Sequence, residues 1–502
     1  MGGESKHLPN LPLSGTGTAA APVVELSTLE VSFGPVTMGT TSPAMDVVVM
    51  NKGNAALMFT SNPSITGTNM ADFTITPATT CSTAAQVAAN SSCTVAITFT
   101  PSTSGMEAAV LNFADNATPA MQTVPLNGGA ASSTNNTVAL TVDSGPLGGD
   151  LNRAFISVTV CVPGSAVNCQ TIDHIVVDTG SVGLRIEASQ LNISLPQATI
   201  GAGNPLGDCV QFADMSYAFG PVQTADILLA GEKASSAPIQ VIGAVGFASA
   251  PGDCAISGGT NLDSVAAFDA NGIIGVGQLK QDCGQACVNA AIPATYYSCP
   301  NNICTNTALP LASQLQNPVS LFPIDNQGVI ILLPAVAASG ATTVTGSLIF
   351  GIGTQTDNVL GAATVITTDV NGEFTAVYNT QQYTGSVLDS GSNGIFFLDL
   401  GPPAFPPCSD YLGFYCPPTT TAFNTTIQGL NNNSVAADFS VTDIDSLGIA
   451  SNFVDAAYSN SGGPGAAGLG FDYGLAFFYG RKVFTCIEGQ SVGSVTGPFV
   501  AY

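Results

Sequence analysis

One nine-residue pattern occurs twice in this sequence, and the repeat limits the fold more than any other feature. The first copy is residues 176–184 (VVDTGSVGL) and the second is residues 387–395 (VLDSGSNGI). Both read apolar-apolar-Asp-Ser/Thr-Gly-Ser-x-Gly-apolar. A single Asp-Ser/Thr-Gly in a chain rich in small polar residues usually marks a turn, and two coincidental turns are the alternative. Two copies, each after an apolar run and each continued in the same way, predict two equivalent strand-and-loop units.

The residue types in the repeat suit acid–base chemistry. Asp178 and Asp389 each supply a carboxyl, and the glycine two positions later lets the backbone turn sharply and bring its N–H close. Two carboxyls in contact cannot both ionise, so they share one proton over a wide acid range. The ionised one can then take a proton from water while the protonated one polarises a carbonyl. The supporting residues are Thr179 and Ser390, expected to lock the two loops together, Ser181 and Ser392, expected to orient the carboxyls, and Gly180 and Gly391 at the turns.

At these residues the chain resembles the pepsin-like aspartic peptidases. Residues 215–220 (MSYAFG) resemble the flap hairpin of that family, with Tyr217 in the place of the flap tyrosine and Gly220 at the end of the segment. The resemblance implies a bilobal double β-barrel, with an N-lobe at 138–355, a C-lobe at 356–502, and a cleft that takes a peptide or protein substrate in extended form. The other matching segments are residues 271–277 (NGIIGVG), 346–353 (GSLIFGIG) and 471–484 (FDYGLAFFYGRKVF).

Within that group the sequence resembles most closely a bacterial family of unknown function. It departs from the pepsin pattern by having no Trp and by a cysteine-rich insert at residues 281–305. Arg185 follows the first loop, where the family usually has neutral residues. If Arg185 points at Asp178, it holds that carboxylate ionised; the alternative is that Arg185 faces solvent or pairs structurally. The segments shared with the bacterial family are residues 178–186 (DTGSVGLRI), 296–300 (YYSCP), 346–354 (GSLIFGIGT) and 389–396 (DSGSNGIF).

The first part of the chain reads as a separate all-β module at residues 23–130, because short alternating runs recur there between turn signals. Residues 1–22 read as a flexible tether and 131–137 as a linker. The predicted fold class is therefore all-β: an N-terminal immunoglobulin-like sandwich followed by a bilobal pepsin-like double β-barrel. Segments 29–39, 51–57, 71–73 and 92–101 resemble the immunoglobulin-like choice-of-anchor D modules of bacterial surface proteins, which implies a spacer or adhesion role.

The charge balance restricts the partners. The 502 residues include 33 acidic and 8 basic side chains, for a formal net charge of −25. Nucleic acid is excluded as a partner, since its binding requires a basic face. In acid the carboxyls neutralise and few cations remain, so the composition avoids the repulsion that drives acid unfolding. This indicates an acidic working pH, although a surface that merely favours small polar residues gives the same composition.

Thirteen cysteines, many of them close together, predict disulfides and an oxidising compartment. Zinc is disfavoured because no Cys-x₂-Cys pair occurs and both histidines are far from the cysteines, so we expect no metal and no cofactor. No run of about 18 apolar residues occurs, so no transmembrane segment is expected. The protein is expected to be secreted, periplasmic or attached to the cell surface through its tether, for example as a lipoprotein. The expected pairs are Cys81/Cys93, Cys161/Cys169, Cys209/Cys254, Cys283/Cys287, Cys299/Cys304 and Cys408/Cys416, with Cys486 left over.

Two functions follow from the sequence. The first is an exported acid endopeptidase, a hydrolase in which a water between Asp178 and Asp389 attacks the peptide bond. The alternative is a non-catalytic cell-surface binding or adhesion protein on a peptidase-like scaffold. His174, beside the first loop, is a candidate base for a serine nucleophile, but a structural histidine explains it as well.

Overall fold

The computed structural model describes residues 20–37, 41–102, 105–131, 136–247, 249–256, 258–447, 456–465 and 470–502. Most of the predicted tether and of the predicted linker lies outside these residues. The described chain is all-β, as predicted, with only short helices. Within it, no helix has both the length and the apolar character needed to cross a membrane.

The strands of the first part of the chain are mostly short. They are β1 Val24–Leu26, β2 Val31–Thr37, β3 Met45–Asn51, β4 Leu57–Met58, β5 Ser64–Thr66, β6 Phe73–Ile75, β7 Gln86–Val87, β8 Ser92–Phe99, β9 Gly105–Ala114 and β10 Met121–Ala131.

The second part begins at Thr137 and contains the longest strands. They are β11 Thr137–Val142, β12 Ala154–Cys161, β13 Cys169–Asp178, β14 Val182–Glu187, β15 Thr199–Ile200, β16 Asn204–Gln211, β17 Tyr217–Leu229, β18 Glu232–Ile242, β19 Gly272–Val276, β20 Tyr296–Ser298, β21 Thr305–Asn306, β22 Gly328–Leu333, β23 Val344–Phe350, β24 Val365–Thr367, β25 Phe374–Tyr378, β26 Gln381–Leu388, β27 Ile395–Phe397, β28 Thr421–Phe423, β29 Thr425–Gln428, β30 Ser434–Ala436, β31 Phe439–Val441, β32 Gly462–Pro464, β33 Asp472–Tyr473, β34 Arg481–Cys486, β35 Ser491–Val492, β36 Val495–Thr496 and β37 Phe499–Ala501.

In the residues that the structure describes, the helices are single turns between strands. The α-helices are α1 Val265–Phe268, α2 Gln285–Asn289 and α3 Leu475–Phe478. The 3₁₀ turns are Met70–Asp72, Ala188–Gln190, Pro300–Asn302, Leu311–Ser313, Pro318–Leu321 and Asp445–Leu447.

Residues 20–29, 43–98 and 109–125 pack into one compact unit. Strands β1, β3, β8 and β6 form one sheet in that order, antiparallel at β1–β3 and β3–β8. Val47 and Val49 on β3 are fully buried at alternate positions, as are Val95 and Ile97 on β8, because successive side chains of a strand point to opposite faces. The immunoglobulin-like topology and the boundaries of this module stay predictions.

The second compact unit contains all described residues from 136 onwards. Among these residues, the first copy of the repeat lies in a sixteen-stranded sheet with the order β21-β20-β16-β17-β18-β14-β19-β13-β12-β11-β23-β22-β34-β37-β24, with β15 on β16. The second copy lies in a seven-stranded sheet with the order β30-β29-β25-β26-β33-β27-β32. Every residue of β14, β19 and β22 is buried, which is typical of strands covered on both faces. The first copy is therefore anchored in the core, and in the second copy Leu388 and Ile395 are buried.

Six disulfides are present in the described chain, and they join the cysteines that the spacing pairs. The bonds are Cys81–Cys93, Cys161–Cys169, Cys209–Cys254, Cys283–Cys287, Cys299–Cys304 and Cys408–Cys416. Cys486 is unpaired and buried, and burial raises the pKa of its thiol to about 12, so it is chemically inert at ordinary pH. Several disulfides fit a protein that lies outside the cytoplasm.

Candidate active site

Each copy of the repeat is a strand, a loop and a second strand, with a third strand inserted between the two. Strand β19 lies between β13 and β14, parallel to the first and antiparallel to the second. Strand β33 lies between β26 and β27 in the same sense. The register places Gly275 of β19 opposite Asp178, and an added Cβ there would lie 2.3 Å from the Val182 nitrogen. Glycine is therefore required where the loop crosses the inserted strand.

The two loops are joined by four reciprocal buried hydrogen bonds. The Thr179 N–H donates to Ser390 Oγ (3.1 Å), and the Ser390 N–H donates to Thr179 Oγ1 (2.9 Å). Each hydroxyl then donates to a carbonyl of the opposite half, Thr179 to Leu388 O (3.1 Å) and Ser390 to Val177 O (2.8 Å). Breaking a buried bond of this kind leaves an unpaired polar group, which is costly. The four bonds fix the two loops against each other.

The lock brings the two carboxyls into contact. An added Cβ at Gly180 would lie 2.6 Å from Cγ of Asp389, and one at Gly391 would lie 2.6 Å from Oδ1 of Asp178. Within each loop, a backbone N–H also donates a hydrogen bond to the carboxyl of the same loop. Gly180 N–H donates to Asp178 Oδ1 (2.7 Å) and Gly391 N–H donates to Asp389 Oδ1 (2.8 Å). The glycines thus serve two purposes, close approach of the facing carboxyl and donation to the local one.

The environment of Asp178 favours its protonated form. Asp178 is only 5% exposed, and burial first, then the charge of Asp389, raises the pKa of the Asp178 carboxyl well above its usual range. Hydrogen bonding from Ser181 and Gly180 opposes this rise. The Ser181 Oγ lies near the Asp178 carboxyl but makes no hydrogen bond of normal geometry within the described chain. The pair is suited to holding one proton between two carboxyls.

The dyad opens into a cavity of about 350 Å³. Its apolar wall comes mainly from the first half, and the tip of the β16–β17 hairpin forms another side. Arg153 is the cation of the lining. It is held by Asp150 (Nε–Oδ1 3.7 Å), donates to Phe268 O (2.6 Å) and lies over the Phe268 ring. The remaining lining residues are Val176, Asp178, Phe212, Ala213, Asp214, Ser216, Thr260, Leu262, Ala267, Ile273, Asp389, Gly391, Ser392, Asn393 and Phe396.

The tip of the β16–β17 hairpin borders the cavity, but Tyr217 is not in the lining. Tyr217 packs beside the Cys209–Cys254 disulfide, while its neighbour Ser216 lines the cavity, because adjacent residues of a strand face opposite ways. Gly220 lies deeper in the sheet, where an added Cβ would be 2.1 Å from Val241 O. In this structure neither Tyr217 nor Gly220 is positioned to touch a molecule in the cavity.

Arg185 takes the structural role and does not point at the dyad. It is 2% exposed and lies between the buried Asp208 and the partly exposed Asp282, with its Nη2 3.6 Å from Asp208 Oδ2 and 3.4 Å from Asp282 Oδ2. Burial raises the pKa of Asp208 to about 8 and that of Asp282 to about 6, against the lowering effect of Arg185. Tyr296 completes the group by donating to Asp282 Oδ1 (2.5 Å). This cluster joins the strand after the first loop to the cysteine-rich insert.

Sequence reasoning missed one acidic residue beside the dyad. Asp472 lies in the second inserted strand, and the Ser392 hydroxyl is 2.6 Å from Asp472 Oδ2 and 3.0 Å from Asp389 Oδ2. The sequence signal is seen when residues 272–276 (GIIGV) are aligned with residues 471–475 (FDYGL), because Asp472 then stands where the first segment has Ile273. His174 is elsewhere, beside Asp143 (3.6 Å) and Asp173 (3.3 Å), and does not line the cavity.

Metal ligation is not indicated by the donor groups. In the described residues, the cluster with suitable spacing is Cys408, Cys416 and Asp445, and its two cysteines are joined in a disulfide. A disulfide sulfur carries no thiolate to bind a metal ion.

A protein-family comparison covers the whole second unit from residue 136. The model described as "Protein of unknown function (DUF3443)" matches residues 132–502. The chain belongs to the DUF3443 family. No curated protein matches it.

Similarity of this DUF3443 protein to solved structures is weak. It resembles the ASH/PapD-like domain of human CEP192 at 17% identity and a TM-score of 0.17, over 25% of this chain and 99% of that one. It resembles the Vibrio cholerae VesB protease at 16% identity and a TM-score of 0.18, over 21% and 32% of the two chains. The secreted serine protease VesC of the same organism gives 11% identity, a TM-score of 0.19, and 42% and 44% coverage. Similarity at this level identifies no function.

Proposed function

We propose that this DUF3443 protein is an aspartic endopeptidase that hydrolyses peptide bonds with a water activated between Asp178 and Asp389. The observation that carries the proposal is the reciprocal lock, Thr179 to Ser390 and Ser390 to Thr179, which holds two carboxyls in contact at the floor of an open cavity. Four buried hydrogen bonds hold the two carboxyls close together, although two adjacent buried carboxyls destabilise the folded state. Stability alone therefore does not explain this arrangement.

The chemistry follows from the shared proton. The ionised carboxylate of the pair accepts a proton from water, and the oxygen of that water attacks the carbonyl carbon of the peptide. The protonated carboxyl donates to the carbonyl oxygen, where negative charge develops. Collapse of the tetrahedral intermediate breaks the carbon–nitrogen bond. The leaving nitrogen takes the proton that the base received from water, and the former carbonyl oxygen returns its proton to the other carboxyl as the C=O bond re-forms. One proton remains on the pair at the end, so the cycle balances.

The lining of the cavity supports a peptide substrate with an apolar side chain next to the cleaved bond. Phe212, Leu262, Phe268 and Ile273 form an apolar wall within the same cavity as the two carboxyls. A pocket of this composition gains affinity from burial of apolar surface and uses its few polar groups for orientation. The setting we propose is acidic and outside the cytoplasm, in agreement with the disulfides and the net charge of −25.

The alternative of a non-catalytic surface-binding protein is less well supported. It would be favoured by carboxyls held apart or by Arg185 paired with the dyad. Instead, the carboxyls are in contact and Arg185 is paired with Asp208 and Asp282.

The test is digestion of a peptide library at acidic pH, below about pH 5 where model carboxyls begin to protonate. We expect wild type to cleave and pepstatin, a statine inhibitor of the pepsin-like class, to block it. Asp389→Asn should lower the rate by about 10²–10⁴-fold, since it removes the base. Asp399→Asn, at an exposed position of the same half, is the matched control and should cleave like wild type. Equal cleavage by folded Asp389→Asn protein and wild type would refute the proposal.

A further inference from the structure

The two halves of the site differ at one equivalent position. In the first half the register pairs Val176 with Ile273, and in the second it pairs Val387 with Asp472. Ile273 is buried and lines the cavity, as expected of an inserted strand that crosses the core. Asp472 therefore places a third carboxyl where the symmetry of the repeat calls for an apolar side chain.

The serine that follows each loop glycine is affected by this difference. Ser181 Oγ lies near the Asp178 carboxyl and makes no hydrogen bond of normal geometry within the described chain. Ser392 Oγ has two carboxylate neighbours, Asp389 Oδ2 at 3.0 Å and Asp472 Oδ2 at 2.6 Å. A hydroxyl has a single proton to donate, so one of these two contacts requires the carboxyl to be the donor.

The other hydrogen bonds of Asp389 and Asp472 indicate which of these two carboxyls donates to Ser392. Asp472 Oδ1 is buried and has no partner in the described chain, so an ionised Asp472 would leave a bare charged oxygen in the protein. Asp389 Oδ1 accepts the Gly391 N–H at 2.8 Å, so Asp389 is equipped to carry the charge. Burial first, and then the charge of Asp389, raises the pKa of Asp472 well above its usual range, which agrees with a protonated Asp472.

We propose that Asp472 is a positioning residue of the dyad, which donates its proton to Ser392 Oγ so that Ser392 donates to Asp389 Oδ2. This inference rests on the proposed peptidase function and assigns the roles within it. The charge is held on Asp389, which becomes the base for the attacking water. On the other side, Ser181 has Ile273 in the position equivalent to Asp472, so no third carboxyl acts there. Asp178 therefore carries the proton and becomes the acid that protonates the carbonyl oxygen.

This arrangement requires two protons on three carboxyls. The titratable groups that act on Asp472 are Asp389 and Asp178, while the residues opposite it on β26 and β27 are the uncharged Val387 and Phe396. When Asp472 loses its proton, the Ser392 hydroxyl donates to Asp472, and Asp389 loses that hydrogen bond and gains a negative neighbour. Activity should therefore be lost when either Asp178 or Asp472 ionises.

The first experiment measures kcat and KM against pH for wild type, Asp472→Asn and Asp472→Ile. Wild-type kcat/KM should approach a hundredfold fall per pH unit on the alkaline side, since about two protons are lost. Asp472→Asn keeps an N–H donor for Ser392, so it should stay active with about a tenfold fall per pH unit. Asp472→Ile, which copies Ile273, should lower kcat by about tenfold or more with KM unchanged. Asp399→Asn is the control and should keep the wild-type profile.

The second experiment needs no activity. Infrared difference spectra of wild type and Asp472→Asn at neutral pH should show one protonated carboxyl fewer in the variant. If wild type cleaves no peptide at any pH, the peptidase proposal fails, but the infrared band still tests Asp472. An unchanged carboxylic-acid band, or the same alkaline steepness in wild type and Asp472→Asn, would overturn the assignment.

Discussion

The protein should be more stable in mild acid than at neutral pH, because several carboxyls are buried without adequate partners. Burial raises the pKa of Asp150, Glu187 and Asp208 to about 8 in each case, and all three are at most 7% exposed. In the unfolded chain these groups titrate near their model values of 3.8 for Asp and 4.5 for Glu. Between the two pKa values the folded state binds more protons than the unfolded state. The free energy of unfolding therefore rises as the pH falls.

The magnitude follows from one proton per group. Each such carboxyl contributes about 1.4 kcal/mol per pH unit, so lowering the pH from about 7 to about 5 adds about 3 kcal/mol for one group and about 8 kcal/mol for three. Asp226, Asp253 and Asp445 act in the opposite sense. Their pKa is lowered by hydrogen bonds and, for Asp226, by Lys233, so their stabilisation is lost only below about pH 4. We expect maximum stability between about pH 4 and pH 6.

Urea unfolding followed by circular dichroism is the assay, since the chain has no Trp to report by fluorescence. Glu187→Gln gives the sharpest comparison, because it removes one titration while keeping the shape. It should reduce the pH slope by about 1.4 kcal/mol per unit and leave the stability at about pH 5 close to that of wild type. Asp399→Asn should keep the wild-type slope. A wild-type midpoint that is equal or higher at about pH 8 than at about pH 5 would refute the reasoning.

Three further predictions concern the loops and the buried arginine. Gly180→Ala and Gly391→Ala should each lose most activity, because the added methyl meets the facing carboxyl at 2.6 Å; the check is kcat alongside a wild-type circular dichroism spectrum. Thr179→Val removes the hydroxyl from two bonds of the lock and should cost about 2–3 kcal/mol of stability in urea unfolding, whereas Thr179→Ser, which copies Ser390, should restore it. Arg185→Met should cost about 3–5 kcal/mol in urea unfolding at neutral pH and less in acid, where Asp282, with a pKa of about 6, also becomes neutral; an equal cost at both pH values would contradict the ion-pair assignment.

The contacts between the two loops follow from the sequence, because the residues that make them belong to a short repeat. Thr179 and Ser390 meet across the loops, and Gly180 and Gly391 lie against the facing carboxyls. These contacts depend on residues that are adjacent in the chain and on one symmetric meeting of two similar loops. The all-β class is also predictable, since alternating apolar runs and frequent turn residues leave little room for helices.

Orientation and long-range pairing are the parts that the sequence does not determine. Tyr217 misses the cavity because one step along a strand reverses the direction of a side chain. Arg185 pairs with Asp208 and Asp282, which lie 23 and 97 residues further along the chain. No local sequence pattern predicts pairing over such separations. Asp472 is concealed by its setting, an acid within an otherwise apolar segment.

If the protein is a peptidase, its activity at alkaline pH should be lost for two reasons, ionisation of the site and destabilisation of the fold, and an experiment can separate them. Ionisation of Asp178 and Asp472 is local and reverses as fast as protons exchange. Destabilisation through Glu187 and Asp208 instead promotes unfolding, which is slow for a chain held by six disulfides. Protein held at about pH 8 for increasing times and then assayed at about pH 4 should recover fully after a short exposure and progressively less after a long one. In Glu187→Gln the slow loss should be delayed while the steepness of the immediate fall stays that of wild type, because Glu187 does not touch the dyad. A change in the immediate fall would mean that the stability of the fold and the protonation of the dyad are not independent.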